Sequence, residues 1–156
     1  MPDITIEASL PSPQAVVAPR LATVLRGYEQ RTDVALTHDL RVAGAAVTVP
    51  VTVETAAADT GTPSAIPLSM HATHRTAWFP SFRGQVRSEA VGPLESILRL
   101  VGSYETPLGA IGELADVTIL GHAAERTLRS FLDRIRSDVI DEIRRSELNI
   151  RRREGR

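Results

Sequence analysis

The chain has 156 residues, of which 42% are hydrophobic and 24% are charged, which is typical of a folded globular protein and excludes a disordered one. Its formal net charge of −1 gives no electrostatic reason to expect a nucleic-acid partner. The absence of cysteine excludes disulfides, a thiol nucleophile and a cysteine-ligated metal.

A chain of this length is expected to form one domain around one core. We place that domain at residues 1–147 and expect residues 148–156 to be a basic, disordered tail. The tail arginines, Arg151, Arg152, Arg153 and Arg156, could contact phosphates, but we expect them to be solvated. No apolar run approaches the ~20 residues of a membrane span, and the first residues do not resemble a signal peptide, so we expect a cytoplasmic protein.

The chain begins with a predicted strand over residues 3–10, where apolar and polar residues alternate. Ser12 and Pro13 follow and are typical of a helix start, as N-cap and first helical residue. Because proline disfavours helix at the residue before it, we expect Pro19 to divide the next segment into two short helices, or to kink a single one.

A run of about five strands is predicted next, from alternation with a period of two. These strands occupy residues 33–42, 46–55, 66–79, 85–90 and 97–104. A polar loop is expected over 56–65 and a turn over 80–84. Pro50 cannot donate to a ladder, so we expect an edge position or a bulge there. The links between strands are too short for crossover helices, which predicts antiparallel pairing.

The last element is a long amphipathic helix from about residue 112 to residue 146, ~50 Å long at ~1.5 Å per residue. Its apolar residues recur at helical spacing on one face: Val117, Leu120, Ala124, Leu128, Phe131, Leu132, Ile135 and Val139. Charged residues such as Arg129 and Asp133 fall on the other faces. Since a small domain does not leave such a stripe exposed, the strands must cover it.

Two stretches resemble a known family: WFPSFRGQVR at 78–87 and LRLVGSYETPLGAIGELAD at 98–116. With the order of elements, they make the chain similar to the START-like (SRPBCC) superfamily, which includes lipid-transfer domains and aromatic polyketide cyclases. The resemblance implies an α+β helix-grip fold, with a curved antiparallel sheet of about six strands, two short helices after the first strand, and a long C-terminal helix on the concave face. It also implies an apolar cavity between sheet and helix. No residue set matches a cyclase or hydrolase site, so the resemblance implies no catalytic residue.

Candidate cavity residues lie on the inward faces of these elements, because small-molecule pockets are mostly apolar with a few polar groups. The apolar candidates are Val49, Val51, Met70, Trp78, Leu100, Leu120, Ala124, Leu128 and Phe131, and the polar ones are His38, His74, Ser88 and Tyr104. Each also has an ordinary structural interpretation, as a core residue or as a polar group that bonds backbone or solvent. Small residues at Gly102, Gly121 and Ala124 are expected to leave room between sheet and helix.

Three hypotheses follow. The first is a binding or carrier protein for a hydrophobic small molecule, lipid-like or aromatic, with no metal or other cofactor. The second is a cyclase-like or hydrolytic enzyme in which His38 or His74 is the general acid/base and Tyr104 polarises a carbonyl. The third is an interaction module that dimerises through the outer sheet face or a sheet edge, so the protein is expected to be a monomer or a homodimer.

Overall fold

The structure of the chain is a computed structural model that describes residues 3–29, 34–40, 45–55, 65–73, 81–105 and 117–155. Side chains are described in these ranges except at 34–40, 45–50, 117–121 and 123. The elements in chain order are β1 (Asp3–Leu10), α1 (Gln14–Glu29), β2 (Val34–Leu40), β3 (Ala45–Thr55), β4 (Ala65–Ala72), β5 (Ser81–Gly92), β6 (Glu95–Glu105) and α2 (Val117–Glu154).

The strands form one curved sheet in the order β1-β6-β5-β4-β3-β2. Every neighbouring pair is antiparallel, which confirms the pairing expected from the short links. The first strand pairs with the last one at one edge of the sheet, while β2 lies at the other edge. Both helices pack against the inner face of this sheet.

One hydrophobic core joins the inner face of the sheet to both helices. The sheet contributes Ile6, Leu10, Val51, Val53, Ile66, Leu68, Val86, Leu98 and Leu100, and the helices contribute Val17, Leu21, Leu25, Leu128, Phe131, Leu132, Ile135 and Val139. The two-residue alternation of the strands and the apolar stripe of α2 therefore face each other, as the sequence predicts.

Of the two alternatives for this segment, two short helices are wrong and a single helix is observed, because α1 is one helix that contains Pro19. Proline inside a helix removes one backbone hydrogen bond and costs about 3 kcal/mol or more. The same helix buries Val17, Leu21 and Leu25, and each fully buried side chain of this size stabilises the fold by about 1.5–3 kcal/mol. The burial of this face outweighs the local cost of the proline.

Two expectations about the strands are also corrected. The predicted turn at residues 80–84 is wrong, since β5 begins at Ser81. Pro50 is not on an edge strand, because β3 lies between β2 and β4. Within the described residues the β3–β4 ladder begins at Val51, so the missing N–H of Pro50 falls just outside it.

The long helix α2 extends further than expected, from Val117 to Glu154 over 38 residues, or about 57 Å at ~1.5 Å per residue. The expected disorder of 148–156 is therefore corrected for residues 148–154, which are helical. The predicted helix start, near residue 112, lies outside the described residues. Arg129 and Asp133 are exposed while Phe131 is buried, which confirms the register of the helix.

A hydrogen bond ties the two helices together. The Tyr28 hydroxyl donates to Asp138 Oδ2 at 2.5 Å, and the Tyr28 ring meets the Phe131 ring edge-on. Tyr28→Phe keeps the ring and removes the bond to a charged acceptor, so it should lower the free energy of unfolding by about 1.5–3 kcal/mol in a urea titration. The control is Thr23→Ala, which removes an exposed bond to the Pro19 carbonyl and should change stability by less than about 0.5 kcal/mol. Equal small effects would mean that the interhelical bond does not form.

Candidate ligand cavity

The inner face of the sheet carries a row of four side chains, one from each of four adjacent strands. Val53 lies opposite Met70, Met70 opposite Phe82, and Phe82 opposite Tyr104. All four are buried, and Tyr104, at 8% exposed, is the most accessible of them. The row, which we call the Tyr104 row, therefore presents an apolar surface with one phenol at its β6 end.

The Tyr104 hydroxyl makes no hydrogen bond to any residue in the part of the chain that the structure describes. Two other polar groups on the inner side do have partners. Ser96 Oγ donates to the Ser12 carbonyl at 2.8 Å, and Thr55 Oγ1 donates to Glu29 at 3.3 Å. Because this hydroxyl is not among the buried polar atoms without a partner, its oxygen is accessible and available to a ligand or to water.

A pair of glycines shapes the sheet beside this row. Gly84 and Gly102 lie directly opposite each other on β5 and β6. A Cβ on Gly102 would lie 2.6 Å from the Gly84 Cα and 2.7 Å from Phe82 Cζ. The Phe82 ring therefore covers both glycines and fills the space above them. The expectation that Gly102 leaves room between sheet and helix is corrected by this contact.

Eight of the predicted cavity residues have described side chains, and all eight are buried: Val51, Met70, Ser88, Leu100, Tyr104, Ala124, Leu128 and Phe131. The others fall outside what the structure describes. His38, Val49 and Leu120 lie in β2, β3 and α2 but their side chains are not described, and His74 and Trp78 lie outside the described ranges. The expected meeting of either histidine with Tyr104 therefore stays a prediction.

Ser88 and Tyr104 lie at opposite ends of the inner surface. Tyr104 pairs with Phe82, which precedes Ser88 by six positions on β5, so the two polar groups are about 20 Å apart at ~3.4 Å per residue. Ser88 lies beneath α1, where Gln14 Nε2 donates to its carbonyl oxygen at 2.8 Å. The structure does not bring these two candidates together.

The middle of the inner surface is closely packed. Val51, Leu100 and Phe131 are 0% exposed, so no water-sized space touches them. Interiors packed at this density have few voids larger than a water molecule. Val53 and Met70 of the Tyr104 row are packed almost as tightly, at 1% exposed, so Tyr104 is the most accessible side chain of this row.

Solved structures of other proteins share this architecture at low sequence identity. A protein from Thermus thermophilus is 16% identical and matches 90% of this chain and 99% of its own, with a TM-score of 0.55. The Zhui aromatase/cyclase from Streptomyces sp. R1128 is 17% identical over 91% of this chain and 95% of its own, with a TM-score of 0.53. A conserved protein from Geobacillus kaustophilus is 16% identical over 90% and 96%, with a TM-score of 0.53. The chain has the helix-grip fold.

At these identities the likeness concerns the fold alone and transfers no activity. No family model matches the sequence, and no curated protein matches it either. Among the described residues, no helix is long and apolar enough to cross a membrane. The function must therefore be argued from the residues of this chain.

The outer face of the helix-grip sheet holds features that sequence reasoning missed. Arg87 and Arg99 lie directly opposite each other, an arrangement of like charges that destabilises a sheet unless it is compensated. Arg99 compensates by bonding Glu7 at 2.7 Å and Glu89 at 2.8 Å. A polar cavity of about 200 Å³ lies elsewhere on this face, with Arg83 among its lining residues. The alternation of apolar and polar residues along the strands predicts that these side chains lie on the outer face. Only the strand register shows which of them lie opposite each other.

Proposed function

We propose that the protein binds or carries a hydrophobic small molecule, lipid-like or aromatic, between the concave face of the sheet and α2. The START-like fold supports this proposal, because its sheet and long helix enclose the inner surface. The observation that carries it is Tyr104, a buried residue of the inner face whose hydroxyl has no hydrogen-bond partner among the described residues. An apolar surface with one free polar anchor is the usual composition of a small-molecule site.

The packing limits where the ligand lies. Phe131 and Leu100 leave no space against their side chains, so we place the ligand at the Tyr104 end of the Tyr104 row, where the row is most accessible. Met70 and Phe82 lie in that row and would contact an apolar body. The ligand class is then a molecule with an apolar skeleton and one acceptor oxygen that reaches the Tyr104 hydroxyl.

The test of this proposal starts with the protein as purified. Native mass spectrometry, followed by organic extraction of the same sample, should reveal a bound apolar compound or an empty protein that takes up an added one. For the empty protein, 8-anilinonaphthalene-1-sulfonate is a suitable probe, since its fluorescence rises in an apolar site. A folded protein that carries no apolar compound and binds neither this probe nor long-chain fatty acids would contradict the proposal.

Tyr104→Phe should weaken binding of a ligand that has a carbonyl acceptor by about 3–10-fold, the equivalent of one neutral hydrogen bond. Binding of a pure hydrocarbon of similar size should not change, because it cannot accept that bond. The control is Ser103→Ala, the next residue on β6, which points to the outer face and should leave both affinities unchanged. If Tyr104→Phe weakened the binding of both ligands by the same factor, Tyr104 would have a packing role only.

The alternative is a cyclase-like or hydrolytic enzyme, in which the free Tyr104 hydroxyl polarises a carbonyl and a histidine moves the proton. The same incubation distinguishes the two functions. A ligand recovered unchanged after prolonged incubation supports a carrier. A ligand recovered with a new ring or a cleaved bond supports the enzyme, and His38→Ala and His74→Ala then identify the acid/base.

A further inference from the structure

The end of α2 projects from the body of the domain. Ile143 is the last core residue of the helix, and all residues from 147 to 155 are exposed. A helix packed on a domain buries one of its faces, whereas this segment buries none. We call residues 144–155 the C-terminal extension.

The extension differs in charge from the rest of the chain. Residues 144–156 contain six arginines and two glutamates, a net charge of +4, so the preceding 143 residues must carry −5 to give the total of −1. Positive charge is thus concentrated on the projecting segment of an otherwise acidic protein. Such an asymmetry orients the protein toward an anionic surface with the extension first.

The arginines of the extension share one helical face. Arg144, Arg145, Leu148, Arg151 and Arg152 follow the i, i+1, i+4, i+7, i+8 spacing of a single face. Leu148, in the middle of them, is 60% exposed. We call this the basic face. Arg145 also bonds Glu142 at 3.3 Å, whereas the other three arginines pair with no carboxylate in the described part of the chain.

Favourable interaction with the helix dipole accounts for Arg151 and Arg152, which lie in the last turn of α2, but not for the rest of this face. Cations stabilise the C-terminus of a helix only within its last turn. Arg144 and Arg145 lie more than two turns before the end of α2 at Glu154. The dipole also gives no reason for an exposed leucine among the arginines.

We propose that the basic face docks on the surface of a bilayer that contains anionic lipids. An interfacial helix of this type places its cations at the lipid phosphates and its apolar side chain at the boundary of the acyl region. Leu148 favours this partner over nucleic acid, where an exposed leucine between the phosphate-binding arginines has no apolar surface to enter. Docking goes beyond the ligand cavity and does not depend on it, since no residue of the extension belongs to the Tyr104 row.

The experiment is co-sedimentation of the full chain with vesicles of phosphatidylcholine mixed with phosphatidylglycerol, and with vesicles of phosphatidylcholine alone. Each arginine near an anionic surface strengthens binding about fivefold, so the triple variant Arg144→Gln, Arg151→Gln, Arg152→Gln should bind the anionic vesicles about a hundredfold less well. Leu148→Ser should weaken binding about tenfold. Binding should also fall as salt is added.

The matched control is Arg126→Gln, Arg129→Gln, Arg134→Gln, which makes the same charge change on exposed positions in the body of α2. It should bind the anionic vesicles nearly as well as the unmodified chain. If both triple variants lost the same affinity for the anionic vesicles, binding would depend on net charge alone and the proposal would be overturned. The proposal would also be overturned if the unmodified chain sedimented with neither kind of vesicle. Tighter binding to duplex DNA or RNA that depends on the same arginines but not on Leu148 would assign the face to nucleic acid instead. The triple variant should still bind the apolar probe, so a failure of docking is separable from a failure of the ligand proposal.

Discussion

Replacing Phe131 with alanine should lower the free energy of unfolding by about 3–5 kcal/mol, the range for a large aromatic residue whose site cannot collapse. Phe131 is 0% exposed and its ring meets that of Tyr28 edge-on, with centroids 5.6 Å apart and an interplanar angle of 71°. Tyr28 cannot move into the vacated space without breaking its bond to Asp138. Since total stability is about 5–15 kcal/mol, the urea midpoint should fall sharply.

The matched control is Arg129→Ala, two positions away on the exposed side of α2. Arg129 is paired with Glu125 at 3.4 Å, and an exposed i,i+4 pair of this kind contributes about 0.3–0.5 kcal/mol. If Phe131→Ala were as mild as the control, then the side chain would border open space, and the ligand site would extend into the middle of the domain. The stability measurement therefore also tests where the cavity ends.

The sequence predicts well those elements in which regularly spaced apolar residues form a single buried face. The stripe of Ala124, Leu128 and Phe131 is buried because each helical turn returns an apolar residue to the sheet. The alternation in β1 and β6 likewise fixes which side chains point inward, since a slip of one residue would reverse every one of them. Antiparallel pairing follows from the short links alone.

The predictions that are wrong rest on local sequence signals that tertiary packing overrides. Pro19 is a strong local signal against a helix, but α1 continues because its apolar face is buried on the sheet. The Pro, Ser and Gly of residues 80–84 suggest a turn, yet Gly84 is a strand residue that allows a close approach of β6. The helix was predicted to end near residue 146, where its apolar spacing stops, but exposed arginines and glutamates are themselves good helix formers.

The candidate site is predicted less completely, because polar partners are distant in sequence. The inward direction of Ser88 and Tyr104 follows from alternation, but the register is needed to show that they lie about 20 Å apart. The bond between Tyr28 and Asp138 joins residues separated by 110 positions. No periodicity reveals such a pair, since each member is an ordinary helical residue when considered alone.

Gly84→Ala should destabilise the protein by about 3 kcal/mol or more, at the upper end of the cost of overpacking. Its Cβ would overlap the Val101 carbonyl oxygen and lie 2.7 Å from both the Gly102 Cα and Phe82 Cζ. Two of these three atoms are backbone atoms of β6, which cannot move without parting the central strands of the sheet. Displacing the Phe82 ring alone would not relieve the overlap. A urea titration of the purified variant measures the loss.

Gly27→Ala is the control that separates this clash from the general effect of adding a methyl group. Gly27 lies in α1, where an added Cβ meets nothing within 4 Å, and alanine is favoured over glycine in a helix by about 0.8–1 kcal/mol. The same chemical change should therefore raise stability at residue 27 and lower it at residue 84. If Gly84→Ala were neutral, β5 and β6 could not approach as closely as the pairing of Gly84 with Gly102 requires. The register that places Phe82 opposite Tyr104, and with it the apolar row of the proposed ligand site, would then be wrong.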